Sequence, residues 1–239
     1  MVKIFTNKTS LTTAIDAWIA DEAAATTTYG DINTWDVSAI TDFSYLFRNK
    51  SNFNSDISNW NVSNGTNFEF MFQRADVFNQ DISSWDVSNG TDFSDMFAHA
   101  DSFDQDIGDW DVSNGTDFDY MFAYADVFNQ DIGDWDVGSG TGFHSMFLGS
   151  KSFNQDISNW DVSSGTDFRS MFSEASVFNQ DISTWRLGEH SNIGNMFASA
   201  DLMQANQGVS ATPSITYFNF FLVDDGEAAF SIDGTTKIF

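Results

Sequence analysis

Residues Phe78 to Phe97 read FNQDISSWDVSNGTDFSDMF, and residues Phe103 to Phe122, 25 positions further on, read FDQDIGDWDVSNGTDFDYMF. Working outward from this pair, Trp recurs at 35, 60, 85, 110, 135, 160 and 185 with a constant spacing of 25. Ile stands three residues before each Trp, from Ile32 to Ile182, and an Asp precedes each Ile. Val follows two after the Trp in six units and Leu187 in the seventh. No insertion interrupts the array. A fixed period of this length marks a stacked-repeat architecture, in which a unit too small to bury its own apolar face is held between its neighbours.

Within a unit, I-x-x-W-x-V has the apolar spacing of a leucine-rich repeat strand, with a ring in place of the middle leucine. Alternation then turns Trp110 and Val112 inward and Asp111 and Ser113 outward. After SNGT the period changes: Phe93, Met96, Phe97 and Ala100 lie at i, i+3, i+4 and i+7, which predicts a short helix capped by Thr91, followed by a return loop carrying Phe103. Gly65, Gly90, Gly115, Gly140 and Gly165 mark the turn between the two. The expected fold is an α/β repeat solenoid of seven 25-residue coils, parallel strands plus short helices, over residues 30–205.

Open ends of such a stack need covers. Residues 1–29 form the expected N-terminal cap, an amphipathic helix with Leu11, Ile15, Trp18 and Ile19 on one stripe. Residues 206–239 read as three strands separated by Asp225-Gly226 and Asp233-Gly234 turns, and are expected to be a C-terminal β cap or, given the apolar run 217–223, a docking tail.

The chain has 239 residues, 9 Lys or Arg against 35 Asp or Glu, and a net charge of −26. This charge repels phosphate backbones and anionic headgroups, so no nucleic acid and no membrane insertion is expected, and cations are the natural companions. Without cysteine there is neither a disulfide framework nor a thiolate site. Asp16, Asp21 and Glu22 interrupt the stretch where a signal peptide would need an apolar core, and no segment reaches the length of a membrane span.

No catalytic residue emerges. His99, His144 and His190 occupy three different places in the repeat, so stacking does not bring them into one column, and acids are so numerous that a catalytic pair arises by chance alone. The expected binding face is the acidic column after Trp: Asp36, Asp86, Asp111, Asp136 and Asp161, broken by Asn61 and Arg186, with Asp109 and Asp134 thickening its centre. Like charges one strand apart repel, so Asp111 and Asp136 are the candidate Ca²⁺ ligands, although no cofactor is required. The Asp before each Ile has a structural role instead, accepting backbone amides at a turn. Tyr45, Phe70, Tyr120 and Tyr124 fall outside the inward columns and form a candidate aromatic contact patch.

The unit FNQDISSWDVSNGTDFSDMF closely resembles the 25-residue FNQDISxWDVSxVTxMxxMF repeat of BspA-like leucine-rich repeat surface proteins, found in mycoplasma surface lipoproteins and in marine bacterial, algal and phage proteins. The likeness covers about residues 30–205. It implies a right-handed leucine-rich solenoid and a non-enzymatic role in adhesion or surface display: a surface adhesin or a building block of an extracellular appendage or virus particle. Partners would be protein, through self-assembly or a surface receptor, or glycan, with a Ca²⁺-assisted carbohydrate-binding module as the alternative. The expected location is extracellular, on a cell surface or in a virion. Two positions depart from the family pattern: Gly for Val, as at Gly90, and Phe for Met, as at Phe93.

Overall fold

In the computed structural model, residues 2–188, 190–214 and 217–218 are described in full, together with the backbone of three strands in the tail. The chain stacks as 25-residue coils, but what holds a coil is a succession of tight turns. The expected strand is absent: the backbone from Ile107 to Val112 pairs with no neighbouring coil, and Trp110 N–H turns back onto the Ile107 carbonyl at 3.1 Å. Parallel pairing between coils is reduced to single bridges running Asp42, Asn67, Asp92, Asp117, Gly142, Asp167 and Asn192.

The expected short helix is absent too. From Phe93 to His99, alternate amides point along the stack: Phe93, Asp95, Phe97 and His99 donate to the carbonyls of Asp117, Asp119, Met121 and Ala123 at 2.8–2.9 Å. The amides between them, of Met96, Ala98 and Ala100, fold back three residues onto Phe93, Asp95 and Phe97. Two residues four apart in each coil take positive φ, for instance Asp95 at 56° and His99 at 57°, which no α-helix accommodates. Overlapping turns of three residues produce the same i, i+3, i+4, i+7 burial as a helix, which is why the apolar pattern does not separate the two. Thr91 caps nothing; its N–H and its hydroxyl both donate to the Thr66 carbonyl of the coil before. The α/β solenoid of strands and helices is therefore corrected to a stack of turn-built coils joined by a one-sided amide ladder.

Aromatic columns fill the interior. Phe47, Phe72, Phe97, Phe122, Phe147, Phe172 and Phe197 stack with centroids 5.2–5.8 Å apart, and a second file from Phe53 to Phe178 runs beside it. Each Trp from Trp60 to Trp185 donates its indole N–H to the Ile carbonyl of the preceding coil, as Trp110 does to Ile82 at 3.1 Å, so the one polar atom of the ring is satisfied in the core. A Cβ on Gly90 would come within 2.3 Å of the Phe93 ring and 2.9 Å of the Val87 carbonyl oxygen, so glycine makes room for the ring in that coil; the first coil instead buries Ile40 together with Phe43.

The first coil is closed by α1 (Lys8–Ala20) and α2 (Glu22–Tyr29). Leu11, Ala14, Ile15 and Trp18 of α1 are buried; Ile19, expected on that stripe, is 38% exposed. Ahead of α1, Phe5 and Lys3 exchange backbone hydrogen bonds with Asp36. At the other end, the last coil is closed by Phe197 N–H donating to Ala211, by Met203 of α3 (Asp201–Gln207) and by Phe218. The tail strands β1 (Leu222–Asp224), β2 (Glu227–Ile232) and β3 (Thr235–Ile238) pair antiparallel with one another. None of them pairs with a coil among the described residues, so the expected β cap on the solenoid is also corrected. The Asp225-Gly226 and Asp233-Gly234 turns and residues 219–221 of the run 217–223 lie outside the described residues.

Candidate functional site

The acidic column lies at the surface, but its carboxylates are already engaged. Asp36, Asp86, Asp111, Asp136 and Asp161 each accept the N–H two residues on, from Ser38, Ser88, Ser113, Gly138 and Ser163, at 3.0–3.1 Å. Where that residue is Ser38, Ser88 or Ser113, its hydroxyl donates to the same oxygen. These bonds hold Asp36, Asp111 and Asp161 below the ordinary carboxylate range. Asn61 makes the same turn in the second coil, which shows that the charge is dispensable there. Asp109 and Asp134 are exposed. Among the described residues no group of three or more acids or histidines is arranged to hold a metal, so Asp111 and Asp136 stand as two separate turns. The Asp before each Ile does the same work, as Asp106 does for Gly108 N–H.

A different face separates itself by its lack of repetition. Four positions per coil vary most, with five to seven residue types in seven coils, whereas columns such as Thr34 to Thr184 and Asn52 to Leu202 vary among four and the core columns stay nearly fixed. One column runs Ser44, Glu69, Ser94, Asp119, His144, Arg169, Gly194; the next runs Tyr45, Phe70, Asp95, Tyr120, Ser145, Ser170, Asn195. The other two start at Arg48 and Asn49 and include Gln73, Arg74, His99 and Tyr124. All four belong to the amide ladder, and two of them are the positive-φ positions. The repeating backbone sets their spacing, so side chains can change without altering the coil.

All four candidate aromatics fall on this face. Tyr45 and Phe70 stack at 4.9 Å, and the Arg48 guanidinium lies over both rings, at 5.3 and 4.8 Å. His99 and Tyr124 stack at 4.8 Å, and Tyr124 continues over Gly149, where a Cβ would meet its ring at 2.5 Å and φ is +65°. Tyr120 meets the edge of His144, with 3.4 Å between its hydroxyl and Nε2. Lys8 reaches the same face over Tyr45 and pairs with Asp42 at 2.8 Å. With Arg48, Arg74 and Arg169 in the columns, basic residues are concentrated here in an otherwise strongly anionic chain.

Two carboxylates of this face are perturbed upward. Asp95 is pushed to about 6 by burial, partly countered by the hydrogen bond from Gln73 Nε2, and raised further by Glu69. Asp119 reaches about 6 through burial and the neighbouring Asp117. Its position has a structural cause: Gly142 lacks the side chain that caps this turn in most other coils, and Asp119 from the coil before supplies it, accepting His144 N–H at 2.7 Å. Burial lowers both His99 and His144. Elsewhere, an open groove of about 640 Å³ between the last two coils is lined by residues including Trp160, Asp161, Thr184 and Arg186.

A family model described as "Mycoplasma protein of unknown function, DUF285" matches residues 19–126 and 105–211, across the whole coil array. The chain belongs to the DUF285 family. No curated protein and no solved structure matches it. No helix among the described residues is long and apolar enough to cross a membrane. In this DUF285 chain the sequence points to the acidic column as a binding face, and the ladder face is marked by the four columns that vary most between coils.

Proposed function

We propose that this chain is a non-enzymatic interaction module of the BspA-like surface type, a surface adhesin or a building block of an extracellular appendage or particle. It would bind through the variable side of its coil stack. One observation carries this: the widest variation between coils falls in the four ladder columns, while the columns that build the core are held nearly constant. Selection for stability alone would homogenise every column of such an array; a face kept heterogeneous at fixed backbone spacing has the logic of a recognition surface on a rigid scaffold. Its composition of Tyr, Phe, His, Arg, Ser and Asn is that of binding surfaces that combine stiff rings with adaptable polar groups.

The experiment compares two multiple variants for binding of protein-coated beads to cell and matrix surfaces. Replacing Tyr45, Phe70, Tyr120 and Tyr124 together by Ser is expected to abolish bead binding. Replacing Asp86, Asp111, Asp136 and Asp161 by Asn is expected to leave it intact. Loss in the second variant and retention in the first would return the function to the acidic column. The exposed ring runs favour a carbohydrate as a second class of partner, which a glycan array with and without chelator tests directly, the Ca²⁺-assisted version requiring loss of signal on chelation.

A further inference from the structure

Tyr45, Phe70, Asp95 and Tyr120 occupy one position in four successive coils. Phe70, Asp95 and Tyr120 have φ of 57°, 56° and 57°, and each donates its N–H one step along the ladder, to Ser94, Asp119 and His144. Identical backbone conformation at consecutive rungs sends their side chains out in file. Tyr45 and Phe70 occupy neighbouring rungs as stacked rings, 4.9 Å apart. At the third rung a short carboxylate takes the place of a ring, so Phe70 and Tyr120 stand two coils apart in this column with no ring of the column between them.

We propose that this gap is a slot for the guanidinium of an arginine on a partner protein, inserted between Phe70 and Tyr120 above the carboxylate of Asp95. The proposal rests on the variable face being the binding face and names what one part of it takes. A guanidinium is flat, stacks on aromatic faces and forks onto a carboxylate, and so matches both walls and the floor. The chain provides its own precedent, since Arg48 already lies 4.8 Å from the centre of the Phe70 ring. Arg48 does not satisfy Asp95: its Nε donates to Gln73 Oε1 at 2.7 Å, and Gln73 Nε2 donates to Asp95 at 2.9 Å. Asp95 forms no ion pair among the described residues. The half-buried carboxylate is thus held in place by an amide, and Arg48 acts on it only through space, without a contact ion pair. A net charge of −26 draws cationic partners toward the molecule, and the slot then selects by shape.

The test titrates the full chain with the peptide acetyl-Gly-Ser-Arg-Ser-Gly-amide and its lysine counterpart at physiological salt, following the resonances of Phe70, Asp95 and Tyr120 by NMR. Saturable shifts at those three residues are expected with the arginine peptide, and weaker binding with lysine. Asp95→Asn is expected to weaken binding roughly five- to tenfold. Asp95→Tyr restores the missing ring, in a column where Tyr45 and Tyr120 already sit in the same conformation, and is expected to fold and to lose binding altogether. The double variant Asp111→Asn, Asp136→Asn is expected to bind as the parent does. Equal binding by Asp95→Tyr, or an equal loss in the Asp111, Asp136 variant, would overturn the slot. So would a chitosan oligomer that shifts these residues when the arginine peptide does not, because the ligand would then be an amino sugar. Failure here, with bead binding still abolished by the four-ring variant, removes the arginine slot and leaves the binding face standing.

Discussion

The two sides of a coil are built by the same kind of turn and used in opposite ways. On the Trp side, Asp106, Trp110, Asp111 and Gly115 repeat almost without change, because every one of them completes a hydrogen bond or makes room for a ring. On the ladder side, backbone amides carry the regular bonds between coils, and the side-chain bonds, such as Gln73 to Asp95 and His144 N–H to Asp119, differ from coil to coil. Repetition marks where side chains are structural, and its loss marks where they are free to recognise something else.

The sharpest way to break this contrast is to compare truncations on the two sides. Phe122 stacks on Phe97, Phe147 and Phe128 and packs against Trp135, so Phe122→Ala is expected to cost about 3–5 kcal/mol in urea unfolding, whereas Tyr45→Ala on the variable face costs at most about 1 kcal/mol. Equal losses would mean that the ladder side is structural as well. Next in size, Gly115→Val drives a side chain into the Phe118 ring, whose Cζ would lie 2.4 Å from the new Cβ, and is expected to cost about 1–3 kcal/mol. Adding Phe118→Met should recover most of that loss; a double variant no better than the single would show that ring and glycine are not coupled.

Two ladder-side carboxylates answer to pH with the opposite sign from the Trp-side turns, whereas Asp42 and Asp167, partly buried yet bound to Lys8 and Arg169, are lowered like those turns. Asp95 faces Glu69, Arg48 and Asp117, and Asp119 faces Asp117, Asp167 and Arg169. Their folded values near 6 exceed the unfolded 3.8, so the folded state takes up protons first, and stability gains as pH falls from about 6 to 4. Above pH 6 the cost of the buried charge is fully present. Asp95→Asn is therefore expected to raise the unfolding midpoint at neutral pH, by up to about 1–2 kcal/mol after allowance for solvent screening, with the gain vanishing below about pH 4. Asp36, Asp111 and Asp161 are lowered by their turns and act in the other direction: their contribution is present above 3.8 and is lost on further acidification. Amide exchange at Ser113 and His144 followed across this range separates the two, and parallel behaviour would dissolve the distinction. The smallest effect is Asp111→Asn, expected within about 0.5 kcal/mol of the parent because Asn61 already closes the same turn.

Much of the core was legible. Trp, Ile and the Phe columns are buried as the period demanded, and the Asp before each Ile closes a turn. The strand and the helix were not, and the reason is local. The run Ile107 to Val112 turns Ile107, Trp110 and Val112 inward, an apolar spacing that an extended and a turned backbone can share. The Phe93 to Ala100 stripe likewise has the spacing of a helix and of overlapping three-residue turns. Side-chain pattern reports which way residues face and not which carbonyl an amide chooses. The four aromatics of the candidate site were visible as residues outside the inward columns, but their pairing with His99, His144 and Arg48 required the ladder to set neighbouring coils in register.

What the sequence determined by itself is the period, the inward columns and the need for neighbours, since those follow from where large rings recur and from how little a 25-residue unit can bury alone. Only the tertiary structure decided that the coils are joined by alternate amides donating to the next coil through left-handed turns, and that Asp95 shares a column with Phe70 and Tyr120. Those choices depend on which coil lies next to which, and a hydrogen bond to a residue 24 positions away leaves no mark on the residues that make it.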